Sequence, residues 1–442
     1  MSSYDEQIKL IKSAKNYYDK YNKNKYGLQR NNFIYLSSFA KNIGFVTLQN
    51  LSNIKQNIFS NLKIILNDVF YGLYYGNVKI FHNKKIIKKY KKLIVTWSID
   101  NQFESNGSFN DRYLNINSSS IKNTLWFIIY LSDKLPLKLK KNILILKKKN
   151  KKKKNYFFFI TKIFFSLKYI FFGKTFFLNK ISSYKIFGDV AVDKIKNFFN
   201  KNIKVLFMPY EGQPFQNEIF SFSKKNFKRI KNIGYIHSPP LGLPANFIKK
   251  ESGPDKLVVN GYDQQKCFSN LLGWKKKQIK VLPSRRFLKN SKKIDSFIFL
   301  PISFQSKKKI IESFKVLIHK EKLCLKNFIV RNHPGAKQSL RHNQLISELK
   351  KIILKNKNLK KKGKKFSIFI GSSGAIIEAL ERNINVFQIC ENPVLEKYSN
   401  RIWNSVIERK IDDNIFYYKI KKKNKLIILG NKFKSFENYF KY

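Results

Sequence analysis

The sequence predicts an α/β protein of two units, each built around a parallel sheet, with a ligand cleft between them. Three observations carry this. The chain has 442 residues, too many for one ordinary compact domain. Hydrophobic residues make up 43%, enough for packed cores and too many for a disordered chain. From Lys204 onward apolar runs alternate with helical stretches; this rhythm breaks at Arg285–Lys293 (RRFLKNSKK) and then restarts. The break sets the expected boundary: an N-terminal unit over 1–290 and a C-terminal unit over 291–442.

In chain order, MSSYDEQIKLIKSAKNYYDKY reads as a polar helix. It lacks the apolar centre of a signal peptide, so a cytoplasmic protein is expected. NFIYLSSF (32–39) and LIVTW (93–97) read as buried strands, followed by the long polar loop SIDNQFESNGSFNDRY. Residues 121–132 read as a helix with Trp126 on its apolar side. A lysine run at 147–154 repels itself and stays solvated. It leads into YFFFITKIFFSLKYIFFGKTFFL (156–178), long enough to span a bilayer but interrupted by Lys162, Lys168 and Lys174. This basic and aromatic insertion, about 147–178, reads either as a helix lying in an anionic membrane interface or as an aromatic core helix pair. KVLFMP, NIGYI, KLVVN and QIKVLP then read as strands. Beyond the break come strand SFIFLPIS, helix 307–322, strand NFIVR, helix 340–354, strand FSIFIG, helix 374–382 and strand NVFQI. Two doubly wound, Rossmann-like halves bind ligands outside the carboxyl ends of their strands, which places the site in the cleft.

Lys and Arg number 89 against 27 Asp and Glu, a net charge of +62. This points to an anionic partner, or else to codon drift, because the excess of Lys travels with Asn, Ile, Phe and Tyr, all encoded by AT-rich codons. No nucleic-acid-binding motif accompanies the charge, so no specific nucleic acid is expected. The cysteines Cys267, Cys324 and Cys390 are few and scattered, with no zinc spacing, which argues for a reducing compartment and no metal site.

Three segments carry chemistry. FSIFIGSSGAIIEAL sets Gly371, Ser372, Ser373 and Gly374 between a strand and a helix. There backbone N–H groups, two hydroxyls and the helix dipole favour an anion, and Glu378 can meet a ribose. The plain alternative is a capped βα turn. The loop lacks the GK[ST] ending of a P-loop. NFIVRNHPG sets Arg331, His333 and Pro334 just past a strand, where Arg331 can grip a phosphate and His333 can donate to a leaving oxygen. The alternative is a loop histidine bonded to backbone. FMPYEGQPF sets Glu211 directly after a strand, as a general base of raised pKa or as an ordinary capping carboxylate. In the loop after LIVTW, Asp100, Asp111 and Arg112 can contact a polyhydroxylated acceptor or lie solvated.

RNHPG together with GSSGAIIEAL resembles the HP and Ser-Ser motifs of bacterial sialyltransferases and related capsule transferases of the GT-B fold. That resemblance implies His333, Ser372 and Ser373 on the phosphate of a CMP-sugar donor, with Arg331, Pro334, Gly371 and Gly374 shaping the site and Glu378 on the ribose. YEG resembles the acidic-acidic-Gly motif of polysialyltransferases, with Tyr210 in place of the first acid, and implies Glu211 as base. The segments TWSIDNQFESNGSFNDRYLNINSSSIKNTLW, YEGQPFQNEIF and IGYIHSPP are similar to surface carbohydrate biosynthesis proteins of O-antigen and capsule loci. The expectation is therefore a metal-independent, cofactor-free GT-B glycosyltransferase. It would move a sugar from a nucleotide-sugar, CMP-sugar favoured, to a glycan or lipid-linked glycan acceptor, cytoplasmic and peripheral at the inner face of the plasma membrane. The alternatives are a sugar-nucleotide epimerase on a similar fold and a noncatalytic binder of polyanions or membrane surfaces.

Overall fold

The computed structural model describes residues 3–22, 36–37, 43–52, 58–75, 78–82, 90–98, 102–132, 134–148, 183–289, 295–333, 340–356, 365–431 and 436–441. It is a mixed α/β structure on two large, mostly parallel sheets. Most of the 147–178 segment and of the 32–39 run lies outside the described residues.

The first sheet has eight strands in the order β1-β6-β5-β2-β7-β8-β9-β10. These are β1 (Val78–His82), β2 (Lys92–Ser98), β5 (Thr124–Tyr130), β6 (Ile143–Lys148), β7 (Val205–Pro209), β8 (Lys231–Tyr235), β9 (Lys256–Val259) and β10 (Ile279–Val281). All neighbours are parallel except β1, which runs antiparallel to β6. The inner strands are apolar throughout because both faces are covered. Along β2, Leu93 and Val95 join one core while Ile94 joins the opposite one.

Residues 121–132 are not a helix: TLWFIIY forms β5, buried at all seven positions between β2 and β6. A short unbroken apolar run has no period to separate a buried strand from a buried helix. The loop before β5 is not a free solvated strap either. It carries the small hairpin β3 (Asn110–Asp111) and β4 (Ile116–Asn117), and Phe109, Leu114 and Ile121 cover one sheet face beside Trp126. On the other face lie α1 (Ser3–Asn22), α2 (Ile43–Leu51), α3 (Ile58–Tyr75), α4 (Ser183–Ile195) and α5 (Pro214–Asn226). Helix α6 (Tyr262–Leu271) makes the crossover from β9 to β10.

The second sheet has the order β12-β11-β13-β14-β16-β15. Its parallel part is β11 (Phe297–Phe299), β12 (Ile329–Arg331), β13 (Phe366–Ile370) and β14 (Asn385–Ile389). It is wound by α7 (Lys307–Glu321), α8 (Leu340–Lys355) and α9 (Ala375–Glu381). After α10 (Pro393–Glu396), the hairpin β15 (Val406–Asp412) and β16 (Ile415–Ile420) adds an antiparallel edge.

The sheets divide between Val281 and Phe297, yet both ends of the chain cross over. Buried Gln7 on α1 donates to Val394 O and Lys397 O beside α10. At the other end, Phe436 and Phe440 pack on Phe207 of β7, and Glu437 pairs with Lys92 at 2.7 Å. One hydrophobic core runs from Leu93 and Met208 through to Ile376 and Trp403. No helix among the described residues is long and apolar enough to cross a membrane.

Candidate functional site

Strand β7 ends at Pro209, and the next residues form a tight turn that presents Glu211. Gly212 makes the turn possible: its φ is +72°, and a Cβ there would run into the carbonyl oxygen of Asn246. Gln216 clamps the turn, its Oε1 accepting from the N–H groups of Glu211 and Gln213 while its Nε2 donates to Pro209 O. Asn246 Nδ2 donates to Glu211 O, and the buried Lys250 ammonium donates to Gly212 O at 3.1 Å. Burial pushes the Lys250 ammonium down to about 7.

The Glu211 carboxylate is one-third exposed and held on both oxygens. Oε1 lies 3.3 Å from His237 Nε2, and Oε2 accepts from Gln213 Nε2 at 2.6 Å. His237 follows β8, the strand paired with β7, and is 1% exposed. Its ring meets Trp97 at 5.5 Å and Tyr113 at 4.8 Å, edge to face. Burial opposes the Glu211 charge, but the His237 hydrogen bond and charge, then Gln213 and Arg286, outweigh it and hold the carboxyl below its usual range. The raised pKa expected of Glu211 is thus corrected: its neighbours stabilise the ionised form. Burial holds His237 below its ordinary value, with Glu211 offsetting part of the effect. His237 Nε2 is the ring nitrogen that faces Glu211, and its Nδ1 has no hydrogen-bond partner among the described residues.

Tyr113 and Arg286 complete the cluster. Tyr113 packs against Trp97 with ring centroids 4.6 Å apart and the rings tilted by 52°, and its hydroxyl is pushed up to about 12 by burial and then by the charge of Glu211. The Arg286 guanidinium lies 6.0 Å over the Tyr113 ring and donates to Ser238 Oγ at 2.6 Å. Its neighbour Arg285 is structural: it donates to Leu114 O and Asn115 O and so fixes the loop carrying Tyr113. Trp97, Glu211, His237 and Arg286 thus gather at the carboxyl edge of the first sheet, where an open α/β sheet binds ligands.

Asp111 does not offer itself to an acceptor. It is 2% exposed and accepts from the N–H groups of Tyr113 and Leu114, and burial pushes its carboxyl up to about 6. It shapes the turn that presents Tyr113. Arg112 is exposed beside it, and Asp100 lies outside the described residues.

On the second sheet, Gly371 has φ +72° and ends β13. Ser373 Oγ accepts from Ala375 N, while Ser372 Oγ is buried without a partner among the described residues. Two more such atoms, Ser303 Oγ and Gln305 Nε2, line the same cavity, with Pro301, Glu391 and Phe45 of α2 on its walls. Burial raises the Glu391 carboxyl, although it accepts from the N–H groups of Gln305 and Ser306. Glu378 pairs with Arg382 at 3.0 Å, and Arg382 donates in turn to Leu288 O and Lys289 O. It thereby ties α9 to the segment between the sheets. Arg331 ends β12 on an exposed position, its guanidinium 4.7 Å over Phe297 at the opposite end of β11. His333 is half-buried just beyond, and Pro334 lies outside the described residues. The Arg331 and Gly371 loops leave the same edge two strands apart, about 10 Å.

The two carboxyl edges meet at the HSPPLG loop after β8. A Cβ on Gly374 would stand 2.9 Å from Pro239 O. The Tyr398 hydroxyl bridges Pro240 O and Ser373 O at 3.1 Å each, and Trp403 Nε1 donates to Gly242 O. Pro239, two residues from His237, therefore abuts the Ser372–Ser373 loop. His237, Tyr113, Trp97 and Arg286 were not singled out by sequence reasoning. The HSPP run next to a buried strand was the available signal for His237. Among the described residues no three His, Cys, Asp or Glu side chains lie together as metal ligands would. Compared with models of protein families and with curated protein sequences, the chain matches none.

Proposed function

We propose that the chain is a GT-B-type glycosyltransferase that moves a sugar from a nucleotide-sugar to a hydroxyl of a surface-polysaccharide acceptor, glycan or lipid-linked glycan. The observation that carries this reading is the Glu211–His237 pair on the carboxyl edge of one parallel sheet, close to the Ser372 loop on the carboxyl edge of another. The acceptor hydroxyl gives its proton to Glu211 as its oxygen attacks the anomeric carbon. The bond from that carbon to the donor phosphate breaks, and the nucleotide leaves with the electron pair. Gln213 and His237 aim the carboxylate.

The donor lies on the second sheet in this reading, its phosphate received by Ser372, Ser373 and His333, with Ser303 and Gln305 adding buried donors without partners among the described residues. Arg286 and Tyr113 face the acceptor. Arg331, engaged on Phe297, would have to swing to reach a phosphate, and Glu378 would have to leave Arg382 to reach a ribose.

Thermal-shift titration with CMP, UDP, GDP and dTDP, and with inorganic phosphate as charge control, tests the donor site. A ligand at 100 times its Kd adds about 2.7 kcal/mol of stability. One nucleotide is expected to stabilise the protein well beyond phosphate, and Ser372→Ala to remove most of that gain. Equal shifts from every anion would reduce the effect to the net charge of +62 and remove the donor assignment.

A further inference from the structure

We infer that the loop between β5 and β6 is a docking surface for an anionic phospholipid bilayer. The segment Leu131–Lys141 (LSDKLPLKLKK) interleaves leucines with lysines. Leu131, Leu135 and Leu137 are 52%, 39% and 103% exposed, so three of the large exposed hydrophobic residues fall within seven positions. Scattered exposed leucines are ordinary, but the exposed Leu135 and Leu137 are set among Lys134, Lys138, Lys140 and Lys141, with Asp133 the one acid of the segment. Lys134, Lys138 and Lys141 of the same segment are exposed.

Hydrogen bonds tie down both ends of the loop. At its start the Tyr130 hydroxyl donates to Lys134 O at 2.6 Å. At its end Lys140 N donates to Gly107 O, and Leu139 packs into the core under the first sheet. Gly107 is needed there, since a Cβ would stand 3.0 Å from the Lys138 and Leu139 backbone. Leu137 borders an open groove of about 850 Å³ whose wall includes Lys122, Lys138, Lys140 and Lys141. Asn106, Ser118, Ser119 and Asn142 supply further hydrogen-bonding groups in that wall.

Charge complementarity selects the occupant. Lipid phosphates fit the lysine-lined groove, while Leu135 and Leu137 enter the acyl boundary beside it. The groove opens at the amino ends of β2, β5 and β6, whereas Leu131 follows the carboxyl end of β5 and its N–H donates to Ser98 O, so the docking surface is the Leu135–Lys141 end of the loop. The surface does not depend on the transferase reading and is tested without any substrate.

The test is sedimentation of the full chain with vesicles of equal parts phosphatidylglycerol and phosphatidylcholine, and with pure phosphatidylcholine, at low and near-physiological salt. Binding to the anionic vesicles is expected to persist at about 0.15 M salt. Leu135→Ser with Leu137→Ser, which leaves the charge unchanged, should lower it about tenfold. Leu340→Ser with Leu354→Ser, exposed leucines of α8, should leave it unchanged. Leu137→Trp should give an emission blue shift on addition of anionic vesicles only. Binding by the Leu135/Leu137 variant equal to wild type, with no blue shift from the tryptophan, would overturn the proposal and leave the vesicle affinity to charge elsewhere on the chain.

Discussion

At the scale of single residues, Glu211 and His237 form one contact pair, 3.3 Å apart, to which the proposed reading gives the proton transfer. Glu211 sits in partial contact with water, and His237 is sealed behind it. Loss of the imidazole N–H leaves only Gln213 and Arg286 against burial, so His237→Phe should shift the acid limb of the activity profile upward by about one pH unit. His237→Asn keeps a donor and should restore part of the shift. A purely structural histidine would lower activity at every pH without moving the limb. Asp111 makes the opposite case. Its carboxyl is at about 6 in the fold against an ordinary 3.8, so the native state binds a proton that the unfolded chain releases, and stability falls as pH rises through that window. Asp111→Asn keeps the acceptor for the Tyr113 and Leu114 N–H groups and removes the buried charge. Its melting temperature relative to wild type should climb between pH 4 and pH 7, by the equivalent of roughly 3 kcal/mol at most. Parallel pH curves for the two proteins would contradict this. Glu211 was legible in the sequence because a carboxylate directly after a buried run must emerge at a strand end. His237 was not, because its role exists only once β8 is laid beside β7. Asp111 was misread because a polar loop says nothing of which side chains turn inward.

At the scale of elements, turns between strand and helix decide where the chemistry sits. Gly212 and Gly374 are both fixed by close approach, the first to Asn246 and the second to Pro239 across the junction of the sheets. Gly212 also needs a positive φ. Gly212→Ala should therefore destabilise the protein by about 2–3 kcal/mol in urea unfolding and displace Glu211. A variant of wild-type stability would show that the turn relaxes freely. The strands from KVLFMP to NVFQI were readable because parallel strands buried on both faces are short apolar runs between polar helices. The same property hid β5, whose TLWFIIY looks alike as helix or strand. The hairpin β15–β16 was unread because Glu408, Arg409 and Lys410 interrupt the apolar positions of β15.

At the scale of the whole molecule, the two sheets hold each other through exchanged ends and the HSPPLG loop. Helix α1 reaches the second sheet by Gln7, and Phe436 to Phe440 return to the first. The first sheet ends at Val281 and the second begins at Phe297. No local pattern could have shown that both termini cross from one to the other, since those contacts join residues more than 200 positions apart. In the proposed reading, acceptor chemistry belongs to one sheet and donor binding to the other. A change at Glu211 should then spare nucleotide binding, whereas a change at Ser372 should not. The decisive measurement is sugar transfer by Glu211→Gln, assayed with the nucleotide-sugar that the binding screen selects and with its Kd determined in parallel. The account predicts a kcat lower by about 10²–10⁴-fold at unchanged donor affinity. Turnover within a few-fold of wild type would contradict it and remove Glu211 from the chemistry.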